Sequence, residues 1–184
     1  MDLVEAFIKA NKNLIIFISG MTCSGKTKLA KTLSKILKVD HYQQKSYYNS
    51  EKAAKKTLPN GITVVNWDSD DVINWDKMNK EIKNHKGGVI VSGMTLVDDK
   101  LDIKPDFHIH ISISKQKCLE NRIDYIKKNK DRFPTEYDQI ESGTEKLKMN
   151  SLTYPYYLSL KDRMTITKWL SANKYNEDQL YEWR

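Results

Sequence analysis

Several residue types are scarce in this 184-residue chain, and each scarcity excludes a class of protein. Two cysteines, Cys23 and Cys118, cannot form the disulfide framework of a small secreted domain. No Cys/His cluster has zinc-ligand spacing, so we expect no structural metal. The longest apolar run, residues 14–18, is far shorter than the roughly 20 residues of a membrane span, and the acidic start is no signal peptide. We therefore predict a cytoplasmic protein without a membrane partner.

Arginine is also scarce, although the formal net charge is +7. Of the 31 basic residues only four are arginine, and the lysines are spread along the whole chain. This pattern does not favour a nucleic-acid partner, and no nucleic-acid-binding motif supports one. The residues that can offer phosphate a planar, always-charged fork are Arg122, Arg132, Arg163 and Arg184.

The chain has enough apolar residues, 39%, for a core, which predicts one domain over residues 1–184. Short apolar or alternating runs predict strands at 14–18, 39–43, 62–67, 89–91, 107–113 and 165–170. Helical spacing and caps predict helices at 26–38, from Asp70 or Asp71 to 85, and at 115–128, 154–164 and 176–183. Residues 130–149 are polar and are expected to be irregular. Strands that alternate with helices predict an α/β fold with a mainly parallel five-stranded sheet, helices on both faces, and ligands at the carboxyl ends of the strands.

A glycine-rich phosphate-binding pattern, GxxxxGK[ST], lies between the first strand and the first helix. It consists of Gly20, Met21, Thr22, Cys23, Ser24, Gly25, Lys26 and Thr27. Glycines allow the backbone to curl so that N–H groups face a β-phosphate, and the helix N-terminus adds a favourable dipole. Lys26 would then bridge the β- and γ-phosphates, and Thr27 would place its hydroxyl on Mg²⁺. The pattern therefore predicts ATP and Mg²⁺ as cofactors.

Other P-loop classes fit less well. The DxxG and NKxD segments of switch GTPases are absent, and a transporter ATPase or helicase needs a longer chain with further motifs. A small kinase remains.

Two further segments carry a family resemblance. Residues 44–48 read Gln-Lys-Ser-Tyr-Tyr, and residues 66–76 read Asn-Trp-Asp-Ser-Asp-Asp-Val-Ile-Asn-Trp-Asp. With the phosphate loop, they resemble nucleoside kinases of the uridine kinase and nicotinamide riboside kinase group, from residue 15 to about residue 180. The resemblance implies a P-loop NTPase-type three-layer fold with a lid at about 122–150. It also implies ATP-dependent transfer to the hydroxyl of a small uridine-, cytidine- or nicotinamide riboside-like substrate.

The resemblance also implies roles for individual residues. It assigns substrate binding to Lys45, Ser46, Tyr47, Tyr48, Trp67 and Asp68. Asp68 would accept from two vicinal ribose hydroxyls, and Trp67 and Tyr48 would flank a base. Alternatively, Asp68 caps the following helix and the aromatic residues belong to the core. Asp70 and Asp71 are expected to be helix caps.

For ATP, the resemblance implies a catalytic role for Arg122, which would reach the phosphates from the lid together with Lys26. Arg132 lies in the lid loop. The alternative for Arg122 is an ordinary surface position on its helix. Asn173 and Lys174 would line the adenine.

Two carboxylates of the family are missing, because their positions are occupied by Lys45 and Ser92. A protonated lysine can neither accept a proton nor bind Mg²⁺. Asp68, Asp98 and Asp99 are candidates to compensate for the missing carboxylates. Three interpretations therefore stay open: a nucleoside kinase with altered metal ligation, a kinase-derived nucleotide-binding or regulatory protein without turnover, and a kinase whose acceptor already carries a phosphate that Lys45 recognises.

Overall fold

The computed structural model of the protein describes residues 13–172 and Ala6. The strands in this part are β1 (Ile15–Gly20), β2 (Asp40–Gln43), β3 (Ala54–Thr57), β4 (Thr63–Asn66), β5 (Val89–Gly93), β6 (Phe107–Ser112) and β7 (Lys168–Ser171). The helices are α1 (Lys26–Leu37), α2 (Trp75–Asn84), α3 (Lys115–Lys128), α4 (Pro134–Asp138), α5 (Thr144–Lys148) and α6 (Tyr154–Leu160). No helix within residues 13–172 is long and apolar enough to cross a membrane.

Five strands form one parallel sheet in the order β2-β5-β1-β6-β7. The apolar run predicted to be a buried strand is β1, which lies at the centre. Alternate residues of β1 face opposite sides of the sheet. Ile16 and Ile18 pack against Leu29 and Ala30 of α1, whereas Phe17 belongs to the core on the other side. The predicted α/β fold with a mainly parallel five-stranded sheet and helices on both faces is confirmed.

The rest of the core consists of two clusters. One is formed around Phe17 with Met78 and Ile82 of α2. The second joins Met21 of the phosphate loop to apolar side chains of α3 and α6, among them Cys118, Tyr157 and Leu160. This packing places α2 against the face of the sheet that carries Phe17, and α3 and α6 against the phosphate loop at the end of β1.

Helix α2 begins later than the sequence predicts. Residues 70–72 form a separate 3₁₀ turn, which is capped by Ser69, whose Oγ accepts from the Asp71 N–H, rather than by an aspartate. Ile73 then pairs with Tyr48 in an extended bridge, which interrupts the helical backbone. Asn74 accepts a hydrogen bond from the backbone N–H of Lys77 and is the N-cap of α2. The predicted capping roles of Asp70 and Asp71 were wrong.

Three other segments also differ from the prediction. Residues 130–149 contain α4, which has a proline in its first turn, and α5, which follows a left-handed glycine. The hairpin of β3 and β4 is separate from the main sheet, and β3 was not predicted because all four of its side chains are exposed. Helix α6 follows a π-helical turn at 149–153 and ends at Leu160, four residues earlier than predicted. Strand β7 begins three residues later than predicted, because Thr165 binds the Asp98 side chain. The predicted helix at 176–183 lies outside the described residues.

Candidate active site

The phosphate loop leaves β1 at Gly20 and turns tightly into α1. A Cβ at Gly20 would lie 2.7 Å from Ser24 Oγ and 2.8 Å from the carbonyl oxygen of Ile111, so no side chain fits there. Cys23 and Gly25 have φ angles of 55° and 92°, in the left-handed region. The backbone therefore curls around the N-terminus of α1, as the glycine-rich pattern predicts.

The interior of this loop is suited to an anion. Gly25 is the N-cap of the twelve-residue helix α1 and makes no side-chain cap, so the first N–H groups of the helix have no intrahelical partner. The positive end of the helix dipole points the same way. Ser24 Oγ is buried and has no hydrogen-bond partner in the described part of the chain. These features fit the phosphates of a nucleotide.

The carbonyl groups of the loop are bound by side chains, two of them from α3. Lys26 Nζ donates to the Met21 oxygen at 2.9 Å. Cys118 Sγ donates to the Thr22 oxygen at 2.8 Å, and Asn121 Nδ2 donates to the Cys23 oxygen at 3.2 Å. A trans peptide holds its C=O and N–H on opposite sides, so the Thr22–Cys23 peptide turns its N–H away from α3.

The electrostatics of the loop also favour an anion. Burial lowers the pKa of Lys26, and the positive charge of Lys45 lowers it further. A bound phosphate would oppose both effects, because it favours the charged form of the lysine. Burial raises the pKa of the Cys118 thiol to about 12, so Cys118 is a protonated donor to the loop.

Gln44 anchors the segment that follows β2, the edge strand of the sheet on the β5 side of β1. Its Nε2 donates to the Thr95 oxygen at 2.6 Å, and its Oε1 accepts from the Thr95 N–H at 3.0 Å. The same side chain fills the space where a Cβ at Gly93 would lie. Lys45 and Ser46 follow and are exposed, so the segment presents them at the carboxyl end of the sheet.

The two tyrosines of this segment have different surroundings. Tyr47 is only 5% exposed in the core, and its hydroxyl donates to Glu81 Oε2 at 2.6 Å. Its position fits the core alternative better than substrate contact. Tyr48 stacks on Trp67 with ring centroids 6.0 Å apart and an interplanar angle of 13°. A base between the rings needs about 7 Å, so in this geometry a base would contact an outer face.

Asp68 follows this stacked pair. Thr153 Oγ1 donates to Asp68 Oδ2 at 2.6 Å, and no hydrogen bond within residues 13–172 involves Oδ1. Burial raises the pKa of the Asp68 carboxyl, although Thr153 and the charge of Lys148 oppose the shift. Because the helix caps are Ser69 and Asn74, Asp68 does not have the capping role that was its alternative.

Asp70 belongs to a network that the sequence analysis missed. Arg163 binds it through two nitrogens, with Nη2 at 2.6 Å from Oδ2, and also binds Asp99 with Nη2 at 2.7 Å from Oδ2. Tyr156 donates to Asp70 Oδ1 at 2.7 Å and shares a hydrogen bond with Thr95. The fork of Arg163 therefore serves the structure. Arginine is scarce in the sequence, which makes Arg163 a candidate phosphate ligand, but no local sequence pattern indicates that it binds Asp70 and Asp99.

The two positions at which the resemblance predicts carboxylates, Lys45 and Ser92, carry a positive and a neutral side chain. Ser92 Oγ is buried and shares a hydrogen bond of 2.8 Å with His41 Nε2. Burial lowers the pKa of His41, and the charges of Lys31 and Lys45 lower it further. The Ser92–His41 pair is therefore neutral at physiological pH.

Arg122 follows Asn121, whose side chain contacts the phosphate loop. Its Nε donates to the buried Glu145 at 3.2 Å, and its guanidinium lies over the Phe133 ring at 5.3 Å. Arg132 lies over the same ring at 5.5 Å. Arg122 is thus paired with α5 and is not an ordinary surface residue. Asn173 and Lys174, the residues expected at the adenine, lie outside the described residues.

A buried polar chain lies beneath the loop. Ser19 Oγ shares hydrogen bonds with His108 at 2.7 Å and His110 at 2.8 Å, and His110 Nε2 shares one with Tyr157 at 2.8 Å. Burial lowers the pKa of each histidine to about 4, so both are neutral at physiological pH. These buried hydrogen bonds were not predicted from the sequence. Their signal is the pair of histidines two residues apart in a strand, which share one face.

Comparison with known proteins reveals similarity in structure only. The sequence matches no family model and no curated protein. A protein from Silicibacter described as a fructose transport system kinase superposes with a TM-score of 0.59 and 9% identity, over 92% of this chain and all of that one. A gluconokinase from Sinorhizobium meliloti gives a TM-score of 0.50 and 9% identity, over 88% of this chain and 84% of that one.

The chain has a P-loop kinase fold. This conclusion rests on the sheet order, on the loop geometry and on these superpositions. Identities of 9% say nothing about substrates, so the closer resemblance to nucleoside kinases stays a prediction.

Proposed function

We propose that the protein is an ATP-dependent phosphotransferase that acts on a small nucleoside-like molecule. The observation that carries the proposal is the phosphate loop, with its left-handed turns, its orphaned Ser24 hydroxyl and the uncapped N-terminus of α1. Both similar structures are described as kinases, which supports phosphoryl transfer.

Lys26 has the central role in ATP binding. In the free protein its ammonium group donates to the Met21 oxygen, which keeps the charge inside the loop. With ATP bound, it would donate to β- and γ-phosphate oxygens instead, where a charge-assisted hydrogen bond is about twice as strong. Thr27 would hold Mg²⁺, which when bound neutralises charge between the phosphates.

Arg122 is a candidate to stabilise charge on the transferred group. It lies beside Asn121, which contacts the loop, and it would have to leave Glu145 to reach a phosphate. Glu145 would then be left buried without its partner, which costs several kcal/mol unless another cation replaces it. Any movement of Arg122 is therefore coupled to α5.

The acceptor would lie between the loop and the 67–68 segment. Asp68 Oδ1 is available to accept from ribose hydroxyls, while Thr153 holds Oδ2. An outer face of the Tyr48–Trp67 stack would contact a base. These contacts orient the acceptor, and orientation supplies much of the catalysis in phosphoryl transfer.

The test is transfer of label from γ-³²P-ATP to a panel of ribonucleosides, nicotinamide riboside and their monophosphates. Lys26→Ala should abolish transfer and weaken ATP binding, whereas Lys35→Ala, which removes a charge from the exposed end of α1, should change neither. ATP binding that is unaffected by Lys26→Ala would contradict the assignment of the loop.

A nucleotide-binding protein without turnover is the second candidate. The replacement of both expected carboxylates favours it, because neither the positive Lys45 nor the Ser92 hydroxyl takes the proton of an acceptor hydroxyl as a carboxylate does, and Ser92 engages Nε2 of His41. Calorimetric binding of ATP without label transfer to any acceptor would select this candidate.

A further inference from the structure

The acceptor side of the phosphate loop is formed by the ends of two neighbouring strands. β5 lies beside β1, and β2 lies beside β5. At the usual spacing, the end of β2 is roughly 10 Å from the loop. Lys45 follows β2 by two residues and is exposed, so its long side chain can extend toward the transferred group.

The position of Lys45 is well defined. The preceding residue, Gln44, makes two hydrogen bonds with the Thr95 backbone and is buried. Burial lowers the pKa of Lys26 and of His41, and the charge of Lys45 lowers both further. The positive charge of Lys45 is therefore within electrostatic range of both residues, one of which is the P-loop lysine.

No carboxylate of the neighbouring described segments is placed as a base beside Lys26. Three of them bind other side chains: Asp70 and Asp99 bind Arg163, and Asp98 binds Thr165. Asp68 retains one oxygen, and its charge acts on Tyr48 and on Cys118, but it is not among the groups that shift the pKa of Lys26.

The remaining candidate base is His41. Its Nε2 is occupied by the buried Ser92 hydroxyl at 2.8 Å. Among the charged Lys, Arg, Asp and Glu side chains of the described residues, the one whose charge shifts the pKa of Lys26 is Lys45, a cation.

The positive charge of Lys45 and the lack of a carboxylate base beside Lys26 in the described residues favour an ionised phosphate oxygen over a hydroxyl as the nucleophile. An attacking hydroxyl must lose its proton, and the assistance of a general base is worth about 10² to 10⁴-fold. The second pKa of a phosphate monoester is about 6, so at neutral pH most of the monoester has already lost both protons. Its oxygen needs no base, but its charge needs a cation as it approaches the anionic γ-phosphate.

We propose, on the basis of the phosphotransferase function above, that the acceptor is a nucleoside-like molecule that already carries a phosphate, and that Lys45 binds this phosphate. An ionised phosphate oxygen attacks the γ-phosphorus of ATP and forms a new P–O bond. The bond between the γ-phosphorus and the β,γ-bridging oxygen breaks, and its electron pair leaves with ADP. No proton is transferred, and the products are ADP and the acceptor diphosphate.

The first arm of the test compares ribonucleoside 5′-monophosphates with the matching nucleosides. Label transfer from γ-³²P-ATP is measured for each pair, and acceptor binding is measured by calorimetry with a non-hydrolysable ATP analogue present. We expect kcat/KM to be at least about tenfold higher for the monophosphates, since Lys45 adds a charge-assisted contact.

The second arm compares variants at Lys45. Lys45→Asp should weaken monophosphate binding at least about tenfold and Lys45→Arg should keep it within a few-fold, because arginine preserves the charge. Lys52→Asp makes the same charge change at an exposed position of the next turn and should have no effect. Thermal melting and ATP binding confirm that each variant is folded.

Two results would overturn the proposal in different ways. If nucleosides are phosphorylated and monophosphates are not, or if Lys45→Asp raises nucleoside phosphorylation, the acceptor is a hydroxyl and the phosphotransferase function stands. If ATP binds but neither class accepts label, the phosphotransferase function fails as well.

Discussion

The contact of Asn121 with the phosphate loop leads to a prediction about nucleotide affinity. Asn121 Nδ2 donates to the Cys23 oxygen at 3.2 Å across 98 residues of sequence. Asn121→Ala removes this donor, and a neutral hydrogen bond contributes about 0.5 to 1.5 kcal/mol net. If the contact holds the loop in its anion-binding shape, the affinity for ATP should fall about 2- to 12-fold.

A second variant sharpens the prediction. Asn121→Asp has nearly the same shape, but an ionised carboxylate cannot donate to a carbonyl oxygen and repels the triphosphate. It should therefore weaken ATP binding more than Asn121→Ala. Gln116→Ala, on an exposed turn of the same helix, is the matched control and should leave the affinity unchanged.

Calorimetric titration of ATP into each variant measures these effects, with thermal melting as a check on folding. A role limited to stability would lower the melting temperature without changing the affinity of the folded protein. Wild-type affinity in a folded Asn121→Asp variant would refute the idea that α3 positions the loop.

Three further predictions concern stability and specificity. Burial lowers the pKa of His108 and His110 to about 4, below the unfolded value of about 6.5, so the unfolded chain takes up protons first as the pH falls. The contribution of these neutral histidines to stability is complete above about pH 6.5. Between about pH 6.5 and 4, the free energy of unfolding falls by about 1.4 kcal/mol per pH unit for each histidine. Thermal melting between pH 7.5 and 5 should therefore show a smaller fall of melting temperature with pH for His110→Gln than for the wild type. Arg163→Lys should lower the free energy of unfolding by about 1 to 3 kcal/mol, because lysine cannot reproduce the fork that binds Asp70 and Asp99. A denaturation midpoint equal to that of the wild type would contradict this. If Asp68 binds a ribose, 2′-deoxy acceptors should bind about 5- to 100-fold more weakly in calorimetry, and equal affinities would remove that role.

The sequence by itself determined the elements whose signals are local. An apolar strand, a glycine-bounded turn and a helical repeat follow one another within 24 residues, so β1, the phosphate loop and α1 could be predicted together. Helix α3 was predicted with its observed bounds for the same reason. Hydrophobic period and turn chemistry act over a few residues, and they can be read without knowing the fold.

Only the tertiary structure decided which distant side chains meet at the loop and its neighbouring segments. Cys118 and Asn121 reach the loop because β6 lies beside β1 and passes directly into α3. Asp70, expected to be a cap, binds Arg163 across 93 residues, and the helix that follows, α2, is capped by Asn74 instead. Such contacts depend on strand order and on the packing of helices around the sheet. The same carboxylate can cap a helix or bind a distant guanidinium, and the choice depends on what the folded chain brings within about 3 Å of it.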